Sequence, residues 1–100
     1  MNIVICPKEY EKELNWNDGK AYCESLEIDD NDDWRMPHIR ELYYIHNSEN
    51  DFDDVIYWSS TINFDNFAWC KNFSDGNQTN PNINQVYRIR PVRNKKRSEM

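Results

Sequence analysis

The stretch Asp33-Trp34-Arg35-Met36-Pro37 constrains the fold more than any other. One helical pattern runs into it and a second starts just after its proline, so the chain turns here. Trp34 beside Arg35, in an otherwise polar chain, predicts an indole packed in a small core. The adjacent guanidinium is expected to make fixed, forked hydrogen bonds to carbonyls or a carboxylate.

At 100 residues, 38% of them hydrophobic, the chain has material for a single core. Four Trp, six Tyr and four Phe offset a modest supply of Leu, Ile and Val, because each aromatic buries about 150–250 Å². The core is therefore expected to be aromatic. Cys6, Cys23 and Cys70 allow at most one disulfide and match no metal-binding spacing, and they read as free, buried, small hydrophobes. Met1 to Cys6 is too short for a signal-peptide apolar region, and no run reaches the length of a membrane span. The expectation is a soluble, cytoplasmic protein with no membrane contact.

Taken in order, Ile3-Val4-Ile5 reads as a short strand closed by Pro7. Asn15 is a helix cap, and Trp16, Gly19, Cys23 and Leu26 share one face of a helix over about Trp16 to Glu27. Gly19 lies inside that stripe, where a missing side chain lets a neighbouring element approach. The run Asp29 to Asp33 ends the helix and reads as an acidic turn; it lacks the central Gly and distal Glu of a calcium loop. Ile39, Leu42, Tyr43 and His46 define a second helix over about His38 to Asn47. Tyr57 to Thr61 and Phe67 to Phe73 then have strand character, and Asn63 to Asn66 connects them. Ser74 to Asn77 is a turn, and the Asn-rich run Asn77 to Asn84 reads as an exposed loop. A last strand, Gln85 to Val92, places Tyr87 and Ile89 on one face and Val86, Arg88 and Arg90 on the other.

The net charge of −6 argues against direct nucleic-acid binding, which draws on clustered Lys and Arg. Acidic residues crowd Asp29 to Asp33 and Glu49 to Asp54. They read either as a solvated face or as a surface that docks on a basic partner protein, with Asp30, Asp32, Asp53 and Asp54 as its candidate residues. Tyr44, Phe64 and Phe67 could instead stack on sugar rings while Asn63, Asn66 and the Asn77 to Asn84 loop, with Asn77 at its start, hydrogen-bond hydroxyls. No phosphate loop, metal-ligand spacing or nucleophile elbow is present. No catalytic residue, cofactor or metal is therefore assigned, and the chain is read as a non-enzyme.

Several short motifs stand in a distinctive order: Leu14-x-Trp16, Ala21-Tyr22-Cys23-x-x-Leu26, Asp33 to Pro37, Glu41-Leu42, Tyr57 to Thr61, Ala68-Trp69, Phe73 to Gly76 and Arg88 to Arg93. In this the chain resembles the C-terminal domain of bacterial collagen-like adhesins, the Lcl C-terminal domain family. The resemblance implies an α+β, C-type-lectin-like fold, with two helices packed on a small, twisted, mostly antiparallel sheet with long loops. It also implies that Trp34, Arg35, Trp58, Ser59, Trp69 and Arg90 are structural. The domain would occupy residues 1–93, with 94–100 a basic flexible tail. Met36 stands where leucine is usual and His38 where a small capping residue is common, so the second helix is expected to start weakly. Trp16-Asn17-Asp18 spells a tripeptide of calcium-dependent lectins but opens a helix, so calcium-dependent sugar binding is not expected.

Two functions follow as expectations. The small size and the Asn- and Asp-rich composition resemble phage accessory proteins, which points to a cytoplasmic module that binds and inhibits a host or defence protein. The alternative, carried by the resemblance to adhesins, is a glycan- or matrix-binding domain. Exposed aromatics could equally form a homo-oligomer.

Overall fold

A computed structural model describes residues 1–48 and 51–100; Glu49, read above as part of the second acidic run, lies outside them. Strand β1 (Ile3–Ile5) pairs antiparallel with β7 (Val92–Asn94), which joins the two ends of the domain in a two-stranded ribbon. A one-turn 3-10 helix (Lys8–Tyr10) leads to β2 (Lys12–Leu14) and then to α1 (Trp16–Ser25). After the acidic turn come α2 (Ile39–His46), β3 (Ile56–Phe64), β4 (Phe67–Asn72), β5 (Gln78–Thr79) and β6 (Tyr87–Ile89). A five-stranded sheet has the order β2-β6-β3-β4-β5, antiparallel except where Tyr57 of β3 meets Arg88 of β6.

The fold is α+β, and its core divides into two clusters that explain the layering. Tyr57 and Trp58 are successive on β3 and so face opposite sides of the sheet. Trp58 packs with Cys23 of α1, Met36, Ala68, Cys70 and Ile89. Tyr57 packs with Leu42 and Ile45 of α2 and with Phe73. The two helices therefore cover opposite faces. All three cysteines are buried and unpaired.

Local chemistry accounts for the element ends. The Asn15 side chain accepts from the Asp18 N–H at 2.9 Å and caps α1. The helix stops at Ser25, two residues before the expected Glu27, because Leu26 is already extended (φ −77°, ψ 137°). At Gly19 an added Cβ would lie 2.9 Å from Ile89 Cγ1 and nearer still to its Cδ1, so the missing side chain is what lets β6 approach α1. Asp29 and Asp30 turn the chain with φ of 52° and 64°, a conformation that short carboxylate side chains tolerate better than most.

The Trp34 turn is tied down through its indole, its backbone and its arginine. Trp34 is buried, its Nε1–H donates to the Asn31 carbonyl, and Arg35 exchanges backbone hydrogen bonds of 2.7 and 2.8 Å with Val92. The Arg35 fork closes on the Glu41 carboxylate (2.8 and 2.9 Å), and Nη2 also donates to Asn94 Oδ1. Glu41 accepts from the His38 N–H as well, and the Thr61 hydroxyl oxygen accepts from the Ile39 N–H. Residues from a neighbouring strand and the helix's own first turn thus make up for the poor capping residue His38.

Three further expectations are modified. The last strand is two strands, because Pro91 has no N–H to give and the chain crosses there from the sheet to the ribbon. Trp69 is half-buried and belongs to neither cluster; alternation puts it opposite Ala68 and Cys70. The last residues, expected as a frayed tail, carry a one-turn 3-10 helix (Arg97–Glu99) whose Glu99 carboxylate is held by both Nη atoms of Arg93.

Candidate binding surface

β3 and β4 run past the body of the sheet into a hairpin closed by Asp65-Asn66, with Phe64 opposite Phe67 as the last pair. Asp65 takes a φ of 45°, the left-handed conformation that a two-residue hairpin loop requires. The Phe64 and Phe67 rings lie 5.3 Å apart between centroids, tilted by 31°. Phe64 is 58% exposed and Ile62 43%, so the apolar end of the hairpin faces solvent. The Asn-rich loop supports it from behind: Ile83 N–H donates to the Asn66 carbonyl and Ala68 N–H to that of Pro81. Asn63 and Asn66 are both exposed, and their side-chain amides have no hydrogen-bond partner among the described residues. The tip therefore combines open ring faces with uncommitted amide donors and acceptors, which is what stacking on a sugar ring and bonding its hydroxyls requires.

Of the surface residues expected from sequence, the structure gathers Asn63, Phe64 and Asn66 at this tip, with Phe67. The others sit on separate elements. Tyr44 is exposed on α2, edge-on to Tyr43, whose ring lies 5.4 Å from the ammonium of the buried Lys71. Burial lowers the pKa of that lysine. Asn77 is consumed by its own turn, donating from N and Nδ2 to the Asp75 carboxylate at 2.9 and 3.0 Å. Asp30 and Asp32 are exposed on the acidic turn, and Asp54 is exposed beyond α2.

Asp53 has a different role. It bonds Lys8 and Arg88, and these hydrogen bonds hold its carboxyl below the ordinary range. Arg88 also reaches Glu11 at 2.7 Å and Glu13 at 3.1 Å. Arg90 is almost wholly buried and donates from Nε to the Cys6 carbonyl, from Nη1 to Glu11 and from Nη2 to Asp51. Its guanidinium lies 4.7 Å from the Phe52 ring centroid. The Tyr57 hydroxyl donates to Glu11 at 2.7 Å and accepts from the Asp53 N–H; burial and the Glu11 carboxylate raise its pKa. Glu11 is the hub of this network, and sequence reading missed it. The available signal was Arg88 and Arg90 on one face of a strand whose other face is apolar, a pattern that calls for buried carboxylates.

The Trp-Arg turn, the Trp-Ser-Ser strand and the arginine-ended strand thus all hold the domain together. The Lcl C-terminal domain family matches this chain over residues 5–93. The chain belongs to that family. The matched span of this Lcl C-terminal domain contains the Glu11 network, the Trp34 turn and the hairpin tip, and it ends at Arg93, before the last 3-10 helix. No curated protein matches the chain. Among the described residues, no group of three or more His, Cys, Asp and Glu is placed to hold a metal ion. A cavity of about 390 Å³ between α1 and the Trp34 turn is walled by Lys20, Met36 and Ser60, and by an Arg35 already committed to Glu41 and Asn94.

Proposed function

We propose that this Lcl C-terminal domain is a non-catalytic, adhesin-type binding module that holds a glycan or matrix ligand on the β3–β4 tip. The observation that carries the reading is the exposed Phe64 and half-buried Phe67 ring pair, flanked by the free amides of Asn63 and Asn66. Family membership supports the same direction. Docking of an acidic face on a basic host protein has weaker support, since Asp51 and Asp53 are bonded to Arg90, Arg88 and Lys8.

The test is binding to a panel of glycans and matrix proteins by wild type, Phe64→Ala and Asn66→Ala. Loss of the ring face should weaken binding about tenfold, or about 1.4 kcal/mol, with the melting temperature unchanged. Absence of any ligand for wild type, or full retention by Phe64→Ala, would overturn the reading.

A further inference from the structure

Arg93, on β7 of the ribbon, is the second buried arginine, and unlike Arg90 it lies away from the Glu11 network. Its side chain is 7% exposed, its guanidinium lies 5.5 Å from the Trp34 ring centroid, and both terminal nitrogens grip the Glu99 carboxylate at 2.8 and 2.7 Å. Trp34 and Arg93 lie inside the family-matched residues 5–93, whereas Glu99 lies outside them. The turn carrying Glu99 has no buried residue, and Glu99 is the side chain that ties it to the domain. Such a turn opens at little cost compared with the core. Nη1 of Arg93 also donates to the Asn94 carbonyl at 3.3 Å, whereas Nε is buried and has no hydrogen-bond partner among the described residues, so the edge that carries it is a donor that Glu99 leaves unused. A planar cation fixed against an indole, with an end-on and a side edge both able to donate, is the arrangement that recognises carboxylates.

We propose that Trp34 and Arg93 form a carboxylate-recognition site, that Glu99 occupies it as a tethered internal ligand, and that release of the C-terminal turn opens it to an acidic side chain of a partner peptide. The site is separate from the hairpin tip and is tested without any glycan. The internal ligand competes by effective concentration. A short tether supplies carboxylate at about 1–10 mM, so a peptide that binds the open site near 1 mM is weakened about two- to tenfold when Glu99 is in place.

The experiment uses full-length protein and a capped peptide spanning residues 95–100, with and without its Glu replaced by Gln, followed by NMR of the Arg93 Nε–H. Glu99→Gln should bind the Glu peptide with a saturable shift of that signal and bind the Gln peptide at least about tenfold more weakly, as expected where a charge-assisted fork is lost. Wild type should need a several-fold higher peptide concentration. Equal response to both peptides, or no response in Glu99→Gln, would overturn the proposal. An independent readout on wild type is hydrogen exchange at the Glu99 and Met100 amides, which bond the Lys96 and Arg97 carbonyls. The proposal requires them to exchange at least about a hundredfold faster than the Val92 amide; protection equal to that of Val92 would mean that the turn does not open separately and would overturn it.

Discussion

Glu11 shows how much one side chain can decide. Its side chain is 6% exposed, and its two oxygens serve Arg88, Arg90 and the Tyr57 hydroxyl. Removing it leaves two guanidinium groups short of charge in a poorly hydrated site, the situation in which breaking an ion network costs most. Glu11→Ala should therefore lower unfolding free energy by about 3–5 kcal/mol, measured by urea denaturation. A loss below about 1 kcal/mol would place the network in the range of exposed pairs. Arg35→Lys is the milder case. A lysine keeps the charge but cannot hold both Glu41 oxygens and Asn94 at once, so the start of α2 should loosen, seen as faster exchange of the His38 and Ile39 amides. Arg35 could be read from sequence because it stands beside Trp34 and before a proline. Glu11 could not: it precedes a three-residue strand with no apolar alternation, and its partners lie 77 and 79 residues away in the chain.

The same distinction holds for whole elements. Both helices were legible because their apolar residues recur at helical spacing and Asn15 marks the first start. β2 was not, since Lys12-Glu13-Leu14 acquires its strand geometry only by pairing with β6. The tip was read as a connection because its Asn and Asp residues are turn formers, whereas β3 continues through Asn63 to Phe64. Gly19 gives the element-scale prediction. Alanine in a helix interior normally gains about 0.5–1 kcal/mol over glycine. Here the new methyl would run into Ile89, and forcing β6 from α1 costs about 1–3 kcal/mol. Gly19→Ala should therefore destabilise, and pairing it with Ile89→Val should recover part of the loss in the same denaturation assay.

For the whole molecule, the ionisable groups define a stability plateau bounded on both sides. On the acid side, burial pushes Glu41 up, but the Arg35 fork and the His38 N–H outweigh it and leave its pKa lowered. Asp53 is lowered by Lys8 and Arg88, and Glu99 is held down to about 2 by Arg93 and the Lys96 N–H. A carboxylate whose folded pKa is depressed contributes stability above its unfolded value, and that contribution is lost as pH falls toward the folded one. These three pairs join the Trp34 turn to α2, the first 3-10 helix and β6 to the 51–54 loop, and the ribbon to the C-terminal turn. On the alkaline side, burial raises the thiols, Cys6 to about 11 and Cys23 to about 12. An acid whose folded pKa is raised has the opposite sign: above the ordinary thiol value the unfolded chain releases protons that the folded chain keeps, so stability falls as pH rises. The melting temperature should thus be level from about pH 5 to about pH 8 and fall by about 5 °C or more toward pH 3 and toward pH 10. Variants separate the two limbs. Glu99→Gln should flatten part of the acid limb and leave the alkaline one, while Cys23→Ala, though less stable throughout, should flatten part of the alkaline limb and leave the acid one. A thermal melt series in which Glu99→Gln follows the wild-type acid profile would show that the Arg93 pair adds nothing to folding, and a Cys23→Ala profile parallel to wild type above pH 8 would remove the Cys23 thiol as a cause.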